Sequence, residues 1–333
     1  MSMRPVLEVE NLSVSVASAR GELTLVHDVS FGVSAGRTLG VVGESGCGKS
    51  VSLMSLVRLL PPEARIGTLS VVRINGRDVT GLSQRELEDV RGREVGFVFQ
   101  DPMTALNPVY KVSYQVGQVL RRHFKLSRRA ARERTLDVLR SVGFPDPKRV
   151  ASSYPHQLSG GMRQRVVIAM AIAAEPRLLL ADEPTTALDA TTQAEVLELL
   201  LNLQRERDMA LVLVSHDLGL IGEVADELCV MYAGTVIERG SAAEVLERPQ
   251  HPYSQALLAA APALDSPSHV PLPVIPGGLP APGELITGCP FRPRCAHAFD
   301  ACTERPPFVR GGRAACWLPE QDDIQHSEKA VTA

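Results

Sequence analysis

Aromatic residues are scarce, 4% of 333, with a single Trp at position 317. Charge of one sign is missing as well: 35 Lys and Arg stand against 38 Asp and Glu, a net charge of −3. That balance excludes a protein that holds nucleic acid by phosphate neutralisation alone. Long apolar runs are also absent. A membrane-spanning helix needs about 18 or more apolar residues in a row, and the longest run here, Val166–Ala174, covers nine. The opening residues MSMRPVLEVE lack the apolar stretch of a secretory signal. The expectation is a soluble, cytosolic chain that can still sit on a membrane partner.

What is present is an ordinary globular composition, 44% hydrophobic and 22% charged, which excludes disorder as the main state. At roughly 100–200 residues per domain the length suggests about two domains. Strands are expected at Val6–Val16, Val29–Val33, Leu39–Val42, Val95–Phe99, Leu178–Ala181, Ala210–Val214 and from Leu228 to Tyr232. Asn75-Gly76 marks a tight hairpin within Val71–Val79. Helices are expected at Ser50–Leu60, from Ser127 to about Val142, at Met162–Ala174, Thr191–Arg207 and Leu218–Ala225, and at Ser241–Glu247. Alternation of this kind implies a mostly parallel α/β sheet, with the helical block of about 101–158 inserted into it. Pro262 to Pro293 holds nine of the 24 prolines and reads as an extended connector.

The segment Gly43, Glu44, Ser45, Gly46, Cys47, Gly48, Lys49, Ser50 fits G-x-x-x-x-G-K-[ST] between a strand and a helix. Glycines let backbone N–H groups turn toward phosphate oxygens, and the following helix, with Val51 in its first turn, adds its dipole. Lys49 supplies charge at the β/γ-phosphates and the Ser50 hydroxyl can bind Mg²⁺. An apolar strand ending in Asp182 and Glu183 supplies one carboxylate for the metal shell and a second for an attacking water. Gln100 ends another strand and can bond Mg²⁺ or water, and His216 follows a third, able to donate to the γ-phosphate. Leu158, Ser159, Gly160 and Gly161 open a helix whose amides suit a phosphate of a second molecule.

These residues resemble the ATP-binding cassette (ABC) ATPases, with every motif in the family's order: Walker A at Gly43–Ser50, Q-loop at Gln100, signature at Leu158–Gly161, Walker B at Leu178–Asp182. Glu183, a D-loop at Ala187–Asp189 and His216 complete the set. The stretches "VGESGCGKSVSLMSLVRLLP", "FQDPMTALNP", "YPHQLSGGMRQRVVIAMAIA" and "HPYSQALLAAAP" look like the D-type ATPase subunits of dipeptide and oligopeptide importers. The fold so implied is an α/β P-loop NTPase (RecA-like) cassette over 1–248, with an antiparallel β subdomain and a helical insertion. A C-terminal extension follows over 249–320, then a flexible tail over 321–333.

The resemblance implies ATP and Mg²⁺ as cofactors, with Ser50, Gln100 and Asp182 around the metal. It implies a head-to-tail pair with an F-type ATPase, in which Ser159 and Gly161 serve the partner's nucleotide, Gly160 and Asp189 belong to the nucleotide-binding set, and Glu183, His216 and Gln100 act in catalysis. It further implies two permease subunits, an extracytoplasmic binding protein reached through them, no nucleic acid, and a peripheral position on the cytoplasmic membrane face. Nickel chelates or glutathione are alternative cargoes, and a non-transport ABC ATPase is a more distant alternative. Such ATPases stack an aromatic ring on adenine about where Val16 stands here, so the base contact departs from the family. The basic run Arg121, Arg122, Lys125, Arg128, Arg129, Arg132, Arg134 reads first as a solvated helix face and second as a contact with the permease or lipid headgroups.

Four of the six cysteines, Cys289, Cys295, Cys302 and Cys316, fall within 28 residues. In a cytosolic chain such clustering favours metal ligation over disulfides. The spacing lacks the C-x2-C pairs of zinc ribbons. Four thiolates can hold tetrahedral zinc or an iron–sulfur cluster, and unligated thiols are the remaining alternative. The family's tail looks like a cluster-binding extension, which favours [4Fe–4S] over Zn²⁺. Cys47 and Cys229 lie too far away in sequence to join them, and Cys229 reads as a small hydrophobe in a strand.

Overall fold

The computed structural model of the protein describes residues 5–18, 21–186, 188–260, 273–281, 284, 287–308 and 313–318. Ala187, the 321–333 tail and much of the Pro-rich stretch lie outside the described residues. Along the chain, β1 (Pro5–Ser18) and β2 (Gly21–Ser34) alternate buried and half-exposed positions, as a strand with one wet face must. Then β3 (Thr38–Val42), buried at every residue, runs into the glycine loop and α1 (Lys49–Leu56). The helix expected to reach Leu60 stops at Leu56, because Arg58 turns to φ +51° ahead of the two prolines.

A short β4 (Ala64–Ile66) pairs antiparallel with β1. Next come β5 (Val71–Ile74) and β6 (Arg77–Asp78), joined by Asn75 (φ +50°) and Gly76 (φ +77°), the left-handed pair the hairpin predicts. An unforeseen α2 (Gln84–Arg93) follows, capped reciprocally by Ser83 and Glu86, then β7 (Val95–Val98). The insertion contains α3 (Pro102–Ala105), α4 (Val112–Phe124), α5 (Arg128–Ser141) and α6 (Pro147–Ser152). Ser127 caps α5 as expected, by accepting from the Ala130 N–H.

The chain continues through α7 (Gly160–Ile172), β8 (Leu178–Asp182), α8 (Ala190–Arg207), β9 (Ala210–Ser215) and α9 (Leu218–Val224). It ends its regular part with β10 (Glu227–Tyr232), β11 (Thr235–Ser241), α10 (Ala242–Glu247) and α11 (Pro252–Ala260).

Two compact units emerge. The first comprises the described residues of 1–8, 32–38 and 71–214. In it β7, β8 and β9 run parallel, Val95 beside Leu178 and Leu178 beside Ala210, and the strand residues Leu178–Asp182 and Ala210–Val214 are buried throughout. Strands buried on both faces read as continuous apolar runs, which is why they were legible. The second unit comprises the described residues of 9–31, 39–70 and 215–333. There β3 pairs parallel with β10, and β10 antiparallel with β11. The C-terminal segment adds a bridge from Ala314 to Glu238 and two short 3-10 turns at Arg292–Arg294 and Asp300–Thr303. Among the described residues no helix is long and apolar enough to cross a membrane.

Candidate functional site

In the second unit the loop after β3 takes a backbone path open to few residue types. Gly43, Gly46 and Gly48 have φ of +153°, +84° and +104°. A Cβ on Gly43 would stand 2.2 Å from the Met231 carbonyl oxygen, so the first glycine is required by contact as well as by conformation. Lys49 is buried, and its Nζ donates to the carbonyls of Gly43 (2.8 Å) and Glu44 (3.0 Å). The Lys head therefore belongs to the loop that its sequence position predicts. Cys47 is also buried, and burial raises its thiol pKa against the pull of Lys49. It is a packing residue of the loop. Ser50 and Val51 follow in the first turn of α1. Val16 is half-buried on β1, opposite Ala64.

In the first unit β8 ends at Asp182, 5% exposed, and the chain turns at Glu183 with φ +44°. Glu183 is held through both main chain and side chain. Its N–H donates to the Val214 carbonyl (3.1 Å), and its Oε2 accepts from Gln100 Nε2 (3.0 Å) and Thr186 Oγ1 (2.9 Å). The structure thus brings two sequence-predicted residues together, and Thr186 is a third that the sequence reading missed. Its signal was the hydroxyl three positions after a carboxylate in a turn. His216 lies exposed in the second unit, just after β9 and before the Asp217 cap of α9.

The signature segment is also in the first unit. Ser159 caps α7, accepting from the Met162 N–H at 3.3 Å, so one of the amides expected to be bare is satisfied by the serine itself. Ser159 and Gly160 are exposed. A Cβ on Gly161 would stand 2.5 Å from Thr192 Cγ2 of α8. Asp189 caps α8 through Thr192, whose N–H and hydroxyl bonds hold its carboxyl below the usual carboxylate range. Phe99 just after β7, and Met103, Val109, Tyr110 and Tyr114 within the insertion, are exposed, and the last two rings stack at 4.6 Å. Three members of the basic run sit in exposed ion pairs: Arg122 with Glu88, Arg129 with Glu133, Arg134 with Glu175. That is the behaviour of a solvated face.

The C-terminal segment contributes more than its cysteines. Tyr232, Tyr253 and Phe291 meet edge to face, with centroids 4.8–5.3 Å apart, and each is at most 2% exposed. The Tyr253 hydroxyl accepts from the Glu44 N–H at 2.9 Å, and burial raises its phenol pKa. Arg294 donates from Nη1 to both Glu44 carboxylate oxygens at 3.0 Å, and from Nε to the Pro276 carbonyl at 2.8 Å. Nothing in residue spacing signals these contacts. The four clustered cysteines line one small cavity with His251, Phe291 and Trp317. Cys289, Cys302 and Cys316 are buried and Cys295 half-buried, and all four are free thiols. Burial pushes the Cys316 thiol up to about 11 and raises Cys289 and Cys295, with the neighbouring thiols adding to the rise. Among the described residues no group of three or more His, Cys, Asp or Glu stands in metal-holding geometry. Cys229 is buried in β10, where burial pushes its thiol up to about 12, as suits the small hydrophobe expected in a strand.

Comparison with known proteins agrees with both halves of the chain. Residues 26–186 match the family model described as ABC transporter, and residues 237–302 the one described as oligopeptide/dipeptide transporter, C-terminal region. The dipeptide transport ATP-binding protein DppD of Bacillus subtilis is 45% identical over 96% of this chain and 96% of its own. The oligopeptide transport ATP-binding protein OppD of Salmonella typhimurium is 45% identical over 95% of this chain and 94% of its own. Among solved structures, a dimer of the ATP-binding cassette MJ0796 in a post-hydrolysis state with ADP and Pi is 28% identical. It covers 71% of this chain and 98% of that one, with a TM-score of 0.63. With both family models matched and relatives aligned over nearly its whole length, this chain belongs to the family of ABC transporter ATP-binding proteins that serve dipeptide and oligopeptide transport.

Proposed function

We propose that the chain binds and hydrolyses ATP to energise import of di- or oligopeptides, as a cassette over 1–248 with an extension over 249–320. The observation that carries the catalytic part is the Glu183 carboxylate held by Gln100 and Thr186 at the end of β8. A carboxylate so oriented polarises the water that attacks the γ-phosphate. Lys49 and the amides of Gly46, Gly48 and Ser50 hold the β/γ-phosphates, and His216 donates to the γ-phosphate oxygen. The phosphoryl transition state is loose, so placing these groups and their charge does most of the catalysis. The hydroxyl of Ser50, the amide of Gln100 and the carboxylate of Asp182 are hard oxygen donors that fit Mg²⁺. A bound ion would supply positive charge against that of the phosphates.

The exposed Ser159 and Gly160, with Gly161 and Asp189, face a second, F-type ATPase and serve its nucleotide. The exposed aromatic and apolar residues from Phe99 to Tyr114 form the surface that docks on two permease subunits. A binding protein outside the membrane delivers the peptide to those permeases, and the chain itself stays peripheral on the cytoplasmic face. Purified chain should hydrolyse ATP, and Glu183→Gln should bind ATP without turning it over. Co-expression with the permeases should retain it on membranes. Failure to hydrolyse, or retention on nucleic acid instead, overturns the reading.

The cysteine cavity belongs to the same proposal. Four free thiols around one cavity have the donor chemistry of a thiolate-held group, either [4Fe–4S] or Zn²⁺. Tetrahedral zinc at Zn–S of about 2.3 Å requires the sulfurs within about 4 Å of each other. A cluster holds its four thiolates farther apart, which favours [4Fe–4S] for thiols that share a cavity but form no single-ion group among the described residues. Iron and sulfide in anaerobically purified protein would support it, and zinc alone would reverse the order.

A further inference from the structure

His251 stands immediately before α11 and lines the cavity shared by Cys289, Cys295, Cys302 and Cys316. Its place is fixed from two sides. The wholly buried Glu238 carboxylate accepts from the N–H groups of Gln250 (2.7 Å) and His251 (2.9 Å). The Tyr253 N–H donates to His251 Nδ1 at 3.0 Å. Because Nδ1 accepts, it carries no proton, so the proton of the neutral ring is on Nε2. The residue is 1% exposed, and Nε2 has no hydrogen-bond partner among the described residues. A buried donor with nothing to donate to is destabilising, and here it belongs to a residue lining a cavity with four cysteines.

We propose that His251 is a hydrogen-bond donor to the sulfur of a group held in this cavity, not one of its ligands. The tautomer decides between the two roles. A ligating Nε2 would have to give up its proton while Nδ1 gained one, and Nδ1 is already committed to the Tyr253 N–H. The occupant must therefore present an acceptor, and anionic sulfur, whether thiolate or cluster sulfide, is the acceptor these four cysteines supply. The inference rests on reading the cysteines as a thiolate site. Donation to sulfur favours the more negative, reduced state, so it raises the potential of a cluster.

The test uses full-length protein reconstituted anaerobically with ferrous iron and sulfide, or separately with zinc chloride. Iron, sulfide and zinc content report on the cysteines. The midpoint potential, or the rate of zinc release, reports on His251. His251→Phe should keep the metal content of the wild type but shift the midpoint potential negative, or release zinc several-fold faster. His251→Gln, which returns an N–H near the same place, should recover much of the change. Should His251→Phe not fold, pulsed electron paramagnetic resonance of the reduced wild type with isotope-labelled histidine gives the answer directly, as a weak coupling to one histidine nitrogen. Equal metal content with unchanged potential and release, or no nitrogen coupling, overturns the donor role and leaves the cysteine site standing. A wild type that takes up neither iron and sulfide nor zinc overturns the cysteine site and the donor role with it.

Discussion

Arg294 Nη1 sits 3.0 Å from each carboxylate oxygen of Glu44, so the residue before Cys295 grips the second residue of the phosphate-binding loop. The guanidinium is 7% exposed and the carboxylate 26%. Charge-assisted bonds in so little water are stronger than their surface counterparts. The Tyr253 hydroxyl accepts from the same residue's backbone N–H. Side chain and main chain of Glu44 are therefore both fixed by the C-terminal segment.

Arg294→Met leaves a largely covered carboxylate without its counter-charge. The expected loss of stability is about 1–3 kcal/mol, read by urea unfolding. Adding Glu44→Gln to it should recover part of that loss. A single variant as stable as the wild type would show that the pair contributes nothing.

For Glu183→Gln the expected fall in ATP turnover is about 10²–10⁴-fold, the usual worth of a positioned general base. Nucleotide binding should persist, because the amide can still accept from Gln100 and Thr186. Single-turnover hydrolysis and a binding titration separate the two effects. Unchanged hydrolysis would remove Glu183 from the mechanism.

At Gly43 the added methyl of Ala meets the Met231 carbonyl at 2.2 Å and Cys47 Sγ at 2.8 Å. Gly43→Ala should weaken ATP binding by about tenfold or more, a loss of at least ~1.4 kcal/mol. Among the described residues Gly46→Ala meets Leu279 Cδ1 alone, at 3.8 Å, and should cost about 1–2 kcal/mol of backbone strain for its left-handed φ. Fluorescent-nucleotide titration of the two variants orders them. The reverse order would count against the contact argument.

Val16→Tyr offers adenine a ring to stack on. Base–aromatic contacts are worth about 1–3 kcal/mol, so the ATP Kd should fall roughly fivefold or more. An unchanged Kd in the same titration would rule out Val16 as the base contact.

The nucleotide loop, β8 and the two capped helices were legible because each is specified by neighbours in sequence. Ser159 and Asp189 start α7 and α8 where their side chains can accept from amides three positions on. Asn75-Gly76 supplies the two positive φ values of its hairpin. By contrast α2 buries only Leu87 and Val90 on an otherwise polar helix, so periodicity gave no sign of it, although the Ser83–Glu86 capping box did. The grip of Arg294 on Glu44 joins positions 250 apart. Such a contact is a product of packing and leaves no trace in spacing. The placing of His251 beside Cys289, Cys295, Cys302 and Cys316 is likewise a product of packing, although the N–H that its Nδ1 accepts comes from its own turn.

Glu183 pairs a side chain needed for chemistry with a backbone of φ +44° that glycine or asparagine would adopt more readily. The left-handed turn costs a non-glycine residue about 1–2 kcal/mol, offset here by the bond to Val214. Selection for thermal resistance and selection for hydrolysis therefore pull this position in opposite directions. Glu183→Gly should relieve the turn while abolishing turnover, the signature of a corner kept under tension for the sake of its carboxylate.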